Sequence, residues 1–552
     1  MGNSLIRTKS CKIFVLFILG ILATIQAQNV YEIGTFVSYP AGKHINHSYF
    51  STWDVFFASE DGVLVYNHQE GKWKNPLTAS DGLSQYPALL VWHDQAARNV
   101  WIITPDFVFI YDELSAWMSR QSLPEYTEFN GKYRLGLLDD KVIIRSQNET
   151  ADNNTSAIFF KGTGAFDQWG LDSMLNINWD QVRWVNPGVN ASKQLLPAQA
   201  IDGGQLDISG RIQLDGYPAQ AACEVSTLVQ DDVGNEAFLG TYGMGIFHRK
   251  IRGGTFKPLP FGLLTPDVMS LYQWGDSLIV GGRAGVTVLH DYHPHYYEAL
   301  RDPVYDYSFV SSIAEYESDV FIAGRQGVFQ KAQGTTQWTR LLKMDDLVSK
   351  RIYSIAAGND GLVMIGTERN AYLYHESGSL IHTLFSSGLD WPVFDVKYSH
   401  GVFYLSTLYG LYVFDSDIMK FTDRITSHGQ VESPHTDASI DPMYEAVIDS
   451  AQLWASSHRG LLHLNLTTMD AGSVLAPSTP FKPRGIAFVG GRVWIGTEVG
   501  LQSYAYKTSS WRHYTHNDGL ISDFITDLVA NEEYIWLGTN LGLTRIKWKN
   551  LY

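Results

Sequence analysis

Cysteine is nearly absent: the 552 residues include two, Cys11 and Cys223. Cys11 precedes an apolar run that reads as a removable leader, so the mature chain keeps one cysteine and no intrachain disulfide can staple it. Stability must come from burial, which a chain of this length can supply. Cys223, within AQAACEVSTL, reads as a small buried apolar residue rather than a nucleophile. Long hydrophobic runs are also missing. The one candidate, IFVLFILGILATI from Ile13 to Ile25, falls short of the roughly 20 residues of a spanning helix. With Arg7, Lys9 and Lys12 before it and Ala27 after it, it reads as a secretory signal peptide over residues 1–27. The mature protein is therefore expected not to span a membrane, and to be periplasmic, at the cell surface or secreted. Positive charge is scarce, with 41 Lys and Arg against 57 Asp and Glu for a net charge of −16. Loss of the leader makes the chain more acidic still. That field argues against nucleic acid as a partner, but not against a neutral glycan or a basic protein surface. Helix-period segments are essentially missing, as are HExxH, G-x-S-x-G and paired CxxC motifs. The turn DDVGNE, Asp231–Glu236, lacks the spacing of a calcium loop and reads as a hairpin turn. His293 and His295 are an isolated pair beside a proline turn. No cofactor or metal is expected.

What the chain does have is one segment repeated in altered form: VWIGTEVGLQSYA from Val493, IWLGTNLGLTRIK from Ile535, FYLSTLYGLYVFD from Phe403 and LWASSHRGLLHLN from Leu453. The same pattern of alternating strand, small turn and second strand starts at Leu278, Val320 and Val363, and more loosely at Val55, Val100 and Ala237. From Leu278 onward the steps are 42, 43, 40, 50, 40 and 42 residues, the period of a four-stranded propeller blade. In IWLGT both strand faces are apolar or small, as expected of a strand buried between two neighbouring blades. A shorter alternating strand precedes each pair, as before Val363, and an aromatic outer strand follows, as in SSWRHYTHNDGLISDF from Ser509.

These features predict an all-β protein of two tandem β-propellers, residues 28–253 and 254–552. The second is expected to be seven-bladed. The first is expected to have five to seven blades and to be partly degenerate, since the pattern decays between Gly131 and Pro218. The chain stops after a third strand, LTRIKWKNLY, so an upstream strand must complete the last blade and remove its edge. The simplest assignment takes Thr255 to Leu259. The alternative takes Ile33 to Gly42.

The strings VWIGTEVGL, IWLGTNLGL and VMIGTERNA, with DGL-type loops before the next inner strand, resemble the two-component-regulator propeller repeat, over most of the mature chain and most strongly after Asp267. That resemblance implies paired propellers acting as the extracytoplasmic sensor of a signalling protein, often for oligosaccharides. The sequence departs from that family's pattern in having no immunoglobulin-like three-tyrosine domain, membrane span or kinase after the repeats, which counts against a direct signalling role. The opening, IGTFVSYPAGKHINHSYFSTWDVFFASEDGVLVYN from Ile33, is similar to the start of propeller-bearing accessory proteins of type IX secretion, without the C-terminal domain those carry.

Two residue sets are candidate sites. Turns between second and third strands share the propeller face that usually holds the ligand funnel, and they carry Tyr242, Arg283, Arg325, Glu368 with Arg369, Tyr409, His458 with Arg459, Glu498 and Asn540. Arginine forks suit carboxylates or sulfates, and tyrosines can stack on a sugar face. Exposed turns also carry soluble residues for no other reason. Eight residues before the middle strands, Asp395, Glu445 and Asp527 occupy equivalent inner-strand positions near the channel. Carboxylates there could bind a cation or act as an acid and base pair, although such residues more often satisfy buried backbone donors. The expectation is an exported, non-enzymatic binding protein that recognises a glycan or protein, with a membrane-bound sensor or secretion machinery as a further partner. A secretion or cell-surface assembly factor and a carbohydrate-active hydrolase or lyase are the alternatives.

Overall fold

The computed structural model describes residues 31–552 apart from 33, 124–132, 147–154, 173–174, 186–199, 207–209, 215–221, 284, 291–292, 298–308, 326, 333–334, 336–337, 344–350, 386–390, 436–438 and 478–482. The signal-peptide segment and the side chains of His293 and His295 lie outside the described residues.

The 40-residue repeat resolves into antiparallel sheets, most of four strands in chain order; the sheet from Val393–Ser399 has a fifth strand, Val431–Glu432, and the sheet from Ile525–Ala530 ends on Phe36–Tyr39. Seven of them occupy the C-terminal part, beginning with inner strands Val268–Trp274, Val310–Tyr316, Ile352–Ala357, Val393–Ser399, Met443–Asp449, Pro483–Val489 and Ile525–Ala530. Each inner strand touches the next, and Ile525–Ala530 touches Val268–Trp274, so these seven close into a ring. In the N-terminal part, regular sheets start at Ile45–Phe50, Leu90–Asp94 and Tyr133–Leu138. A seven-stranded sheet then runs from Ala200–Ile201 to Lys257–Leu259, and its strand Cys223–Gln230 packs beside Ile45–Phe50. The stretch expected to be irregular, Gly131 to Pro218, holds the sheet of Tyr133–Leu138 and the first three strands of this one, Ala200–Ile201, Gly204–Leu206 and Arg211–Leu214, with 186–199 and 215–221 outside the described residues. The fold is all-β, two propellers in tandem.

The apolar core lies between sheets rather than at the centre of either ring. Met364 and Leu373 of one blade, for example, pack with Val396, Phe403 and Leu405 of the next. This explains why middle strands are apolar on both faces. Trp494 is completely buried in such a layer, while Trp536 is only half-buried against Tyr39.

The recurring T-x-x-G is a hydrogen-bonded turn. The hydroxyls of Thr407, Thr497 and Thr539 donate to the carbonyls of Gly410, Gly500 and Gly542 at 2.8, 2.7 and 2.9 Å. Each also accepts the N–H two residues ahead, from Tyr409, Val499 and Leu541. The glycine is required at Gly500, where φ is +119° and a Cβ would lie 2.4 Å from the carbonyl oxygen of Tyr514.

The strand that closes the C-terminal ring is Phe36–Tyr39, paired with Leu543–Ile546. The assignment of Thr255 to Leu259 to that role is corrected: Lys257–Leu259 pairs with Ile246–Arg249 in the N-terminal part. Sheet membership therefore does not change at residue 254. The reason is geometric, since the segment that continues a blade by the shorter connection stays with it. Two segments consequently cross between the rings side by side. At Gly262, with φ +68°, a Cβ would meet the Pro40 carbonyl oxygen at 2.2 Å. Two equivalent turns also meet there. Thr78–Gly82 and Thr515–Gly519 each form a reciprocal Thr/Asp capping box ending in a left-handed glycine, and a Cβ on Gly519 would lie 3.3 Å from Cα of Ser80.

Candidate functional site: the mouth and channel of the C-terminal ring

All seven inner strands of this ring break period-two alternation at the same place. Each has a register shift just after its first residue, between Val268 and Ser270, Val310 and Ser312, Ile352 and Ser354, Val393 and Asp395, Met443 and Ala446, Pro483 and Gly485, and Ile525 and Asp527. A bulge leaves a residue unpaired and re-aims its side chain. Here the second residue of each strand is freed: Met269, Ser311, Tyr353, Phe394, Tyr444, Arg484 and Thr526. Because the first residue pairs with the end of the second strand, as Val268 does with Gly282, these bulges sit at the face carrying the second-to-third strand turns. All of the freed residues but Tyr444 line, with deeper inner-strand residues such as Lys397, Glu445 and Asp527, a cavity of about 550 Å³ along the ring axis.

Below the bulges, the third inner-strand residue tethers one blade to the next. Asp395 Oδ2 accepts the N–H of Ala446 at 2.9 Å, and Asp527 Oδ2 accepts the N–H of Leu271 at 2.7 Å. Ser312 Oγ accepts the N–H of Ile355 at 3.1 Å in the same way. At Gly485 the next backbone is too close for a side chain, with a Cβ falling 2.8 Å from the nitrogen of Leu528. The three candidate channel carboxylates are thus brought to one cavity, with Asp395 and Asp527 engaged in inter-blade bonds. Lys397 Nζ lies 3.1 Å from Asp395 Oδ1. Burial, opposed by two backbone N–H donors, pushes the Asp527 carboxyl up to about 7. Burial and the Asp395 carboxylate, to which it is hydrogen-bonded, push the Glu445 carboxyl well above its ordinary value. Enclosure works against the Lys397 ammonium, but Asp395 and Glu445 hold it above its usual value.

The rim residues fall where the turns were expected, and several are already engaged. Arg283 pairs with Asp267 at 3.3 Å and lies 5.5 Å from the Phe309 ring centroid. His458 faces Asp441 at 3.9 Å. Glu498 pairs with Arg484 at 2.7 Å, and Asn540 accepts from the Ser522 hydroxyl at 2.8 Å. Tyr409 packs on Trp391 with centroids 4.5 Å apart. Arg325, Arg369 and Arg459 are exposed on the same face. Tyr242 belongs to the N-terminal part, where its N–H bonds to Glu224.

The reading of turns missed the residues closest to the channel. Tyr353 and Phe394 have ring centroids 6.0 Å apart, and Phe394 and Tyr444 5.7 Å. Three consecutive blades thus present a continuous aromatic arc. Arg351 lies over Tyr353 at 5.6 Å, and Arg484 over Phe524 at 4.8 Å. A signal for this existed: the apolar residues at inner-strand positions one and four, such as Val393 and Val396, are three apart where a regular strand would space them by two.

No family model matches the chain, and no curated protein does. Solved structures do. PorZ of Porphyromonas gingivalis, described as an essential bacterial surface component of the type IX secretion system, aligns over 93% of this chain and 87% of its own at 11% identity, with a TM-score of 0.57. Extracellular domains of the putative one-component system BT4673 and the putative hybrid two-component system BT3049, both from B. thetaiotaomicron, align over 91% and 92% of this chain and 70% and 68% of their own. Both are 14% identical with TM-scores of 0.42. The likeness to PorZ is one of fold.

Proposed function

We propose that this chain is an extracytoplasmic binding protein that recognises a glycan or protein ligand through the turn-bearing face of its C-terminal propeller. The carrying observation is the division of labour at the channel. Asp395 and Asp527 hold neighbouring blades together through backbone bonds, while the bulges offer aromatic rings and an arginine at the mouth. Such a surface binds by stacking and charge and needs no catalytic pair. A periplasmic, surface or secreted location accords with the leader-like N-terminus. A second reading, a secretion or cell-surface assembly factor, is favoured by the likeness to PorZ over most of both chains.

A thermal-shift screen against oligosaccharides tests the first reading, since a ligand at 100 times its Kd adds about 2.7 kcal/mol of stability. A reducing-end release assay on the same panel separates binding from hydrolysis. Replacing Arg283, Arg325, Arg369 and Arg459 by alanine should leave melting nearly unchanged, as exposed substitutions shift stability by about 0.5 kcal/mol or less. If the outer rim contributes, that variant loses acidic ligands selectively. No stabilisation by any oligosaccharide, together with capture of a secretion component, would favour the second reading.

A further inference from the structure

We propose that the bulge residues Tyr353, Phe394 and Tyr444, with Arg484 beside them, form a stacking platform for the sugar rings of an oligosaccharide that carries carboxylates. This rests on the binding-protein reading and names both its site and its ligand class. Three observations carry it.

The first is placement. The bulges occur in every inner strand, yet bulky aromatics occupy them in three consecutive blades, giving one continuous arc rather than scattered rings. The arc is half-buried at a channel mouth: Tyr353 and Phe394 line the cavity, and Tyr444 extends the arc outward from Phe394. The second is the wall beneath. Lys397, Glu445 and Asp527 line the cavity behind the arc. An apolar peptide side chain inserted there would strip water from these polar groups and offer no bond in return, whereas a polyhydroxylated ligand can hydrogen-bond to them. Sugar rings combine an apolar C–H face for the arc with hydroxyls for the wall. The third is charge. The arc is bracketed by Arg351 before Tyr353 and by Arg484 at the next bulge after Tyr444, both exposed. A guanidinium has five donors in a fixed fork, and Arg484 gives one nitrogen to Glu498. The rest of the fork suits a second carboxylate, and repulsion from Glu498 keeps that affinity moderate.

Calorimetric titration of the full chain with the α-1,4-linked hexamer of galacturonate and with the neutral β-1,4-linked hexamer of glucose tests this. The wild-type chain should bind the uronate hexamer more tightly. Phe394→Ala should weaken both hexamers by about tenfold, the loss of one aromatic contact. Arg484→Gln should weaken the uronate hexamer by about tenfold or more and spare the neutral one. Glu498→Gln should tighten the uronate hexamer severalfold by releasing the guanidinium. Wild-type affinities retained in both Phe394→Ala and Arg484→Gln would retire the mouth as the site and leave the binding-protein reading standing. Failure of the wild-type chain to bind either hexamer would overturn the glycan reading itself. Should Phe394→Ala melt early, exposed Arg484→Gln decides alone, and an unchanged ratio of the two affinities rejects the proposal.

Discussion

Asp527 shows how one side chain can be both a candidate for chemistry and a structural tie. Its two oxygens accept the N–H groups of Leu271 and Leu528, each at 2.7 Å. The first of these bonds joins the last blade of the ring to the first. Burial nonetheless raises its carboxyl from 3.8 to about 7. The unfolded chain gives up this proton near pH 4 while the folded chain keeps it until about pH 7, so the folded state binds more protons between those values. Stability from this group is therefore highest below pH 4 and declines as pH rises to 7. Glu445, also raised, acts in the same direction. Urea unfolding at intervals from pH 4 to 7 should show a shallower decline for Asp527→Asn than for wild type, with one backbone bond still available to the amide oxygen. Identical slopes would mean that Asp527 is solvated like an ordinary carboxylate.

Elements are held in shape by the T-x-x-G turn, and this is why the motif recurs. A threonine at the end of the second strand satisfies an N–H and a carbonyl within four residues, so a tight turn forms without water and fixes the side chain that follows it on the ligand face. The equivalent turn with Asn370 in the glycine place, Thr367 to Asn370, positions Arg369, whose N–H bonds to Thr367 at 3.3 Å. Thr497→Val retains the shape and removes both bonds. It should cost about 1 kcal/mol for the lost hydrogen bonding, and more if the Gly500 carbonyl is left unpaired. Guanidinium denaturation measures this, and no loss would show that the turn is set by Gly500 alone. The inner strand is governed differently: its bulge trades one ladder pair for a side chain aimed at the mouth, and the three-residue apolar spacing marks that trade in the sequence.

At the scale of the whole molecule, the N-terminal ring is threaded into the C-terminal one. Phe36–Tyr39 completes the last blade, the chain then builds the N-terminal sheets, and it returns past Gly262 to build the remaining blades. Phe36, Val37 and Tyr39 are buried, so closure combines strand pairing with apolar burial. Replacing Phe36–Tyr39 by a glycine and serine tract in the full chain should expose the edge of Leu543–Ile546. Hydrogen exchange should then show protection lost across the C-terminal ring and kept at Val55 to Ser59. The same replacement of Lys257–Leu259 should leave Leu543–Ile546 protected. The reverse pattern would restore the rejected closure.

Composition and period were enough to determine an all-β repeat fold, seven C-terminal inner strands, the turns on one face and the inner-strand position of Asp395, Glu445 and Asp527. Each of these depends on neighbours in the chain, on alternation, turn chemistry and repeat length, and so is written locally. Which strand closes the ring was not legible, because Ile33 to Gly42 and Thr255 to Leu259 are equivalent as isolated strands and differ only in what they meet across the ring. The aromatic arc was equally hidden. Tyr353, Phe394 and Tyr444 lie some 40 to 50 residues apart, and only the closing of blades around an axis, with a bulge in each, brings the Phe394 ring to 6.0 Å from that of Tyr353 and 5.7 Å from that of Tyr444.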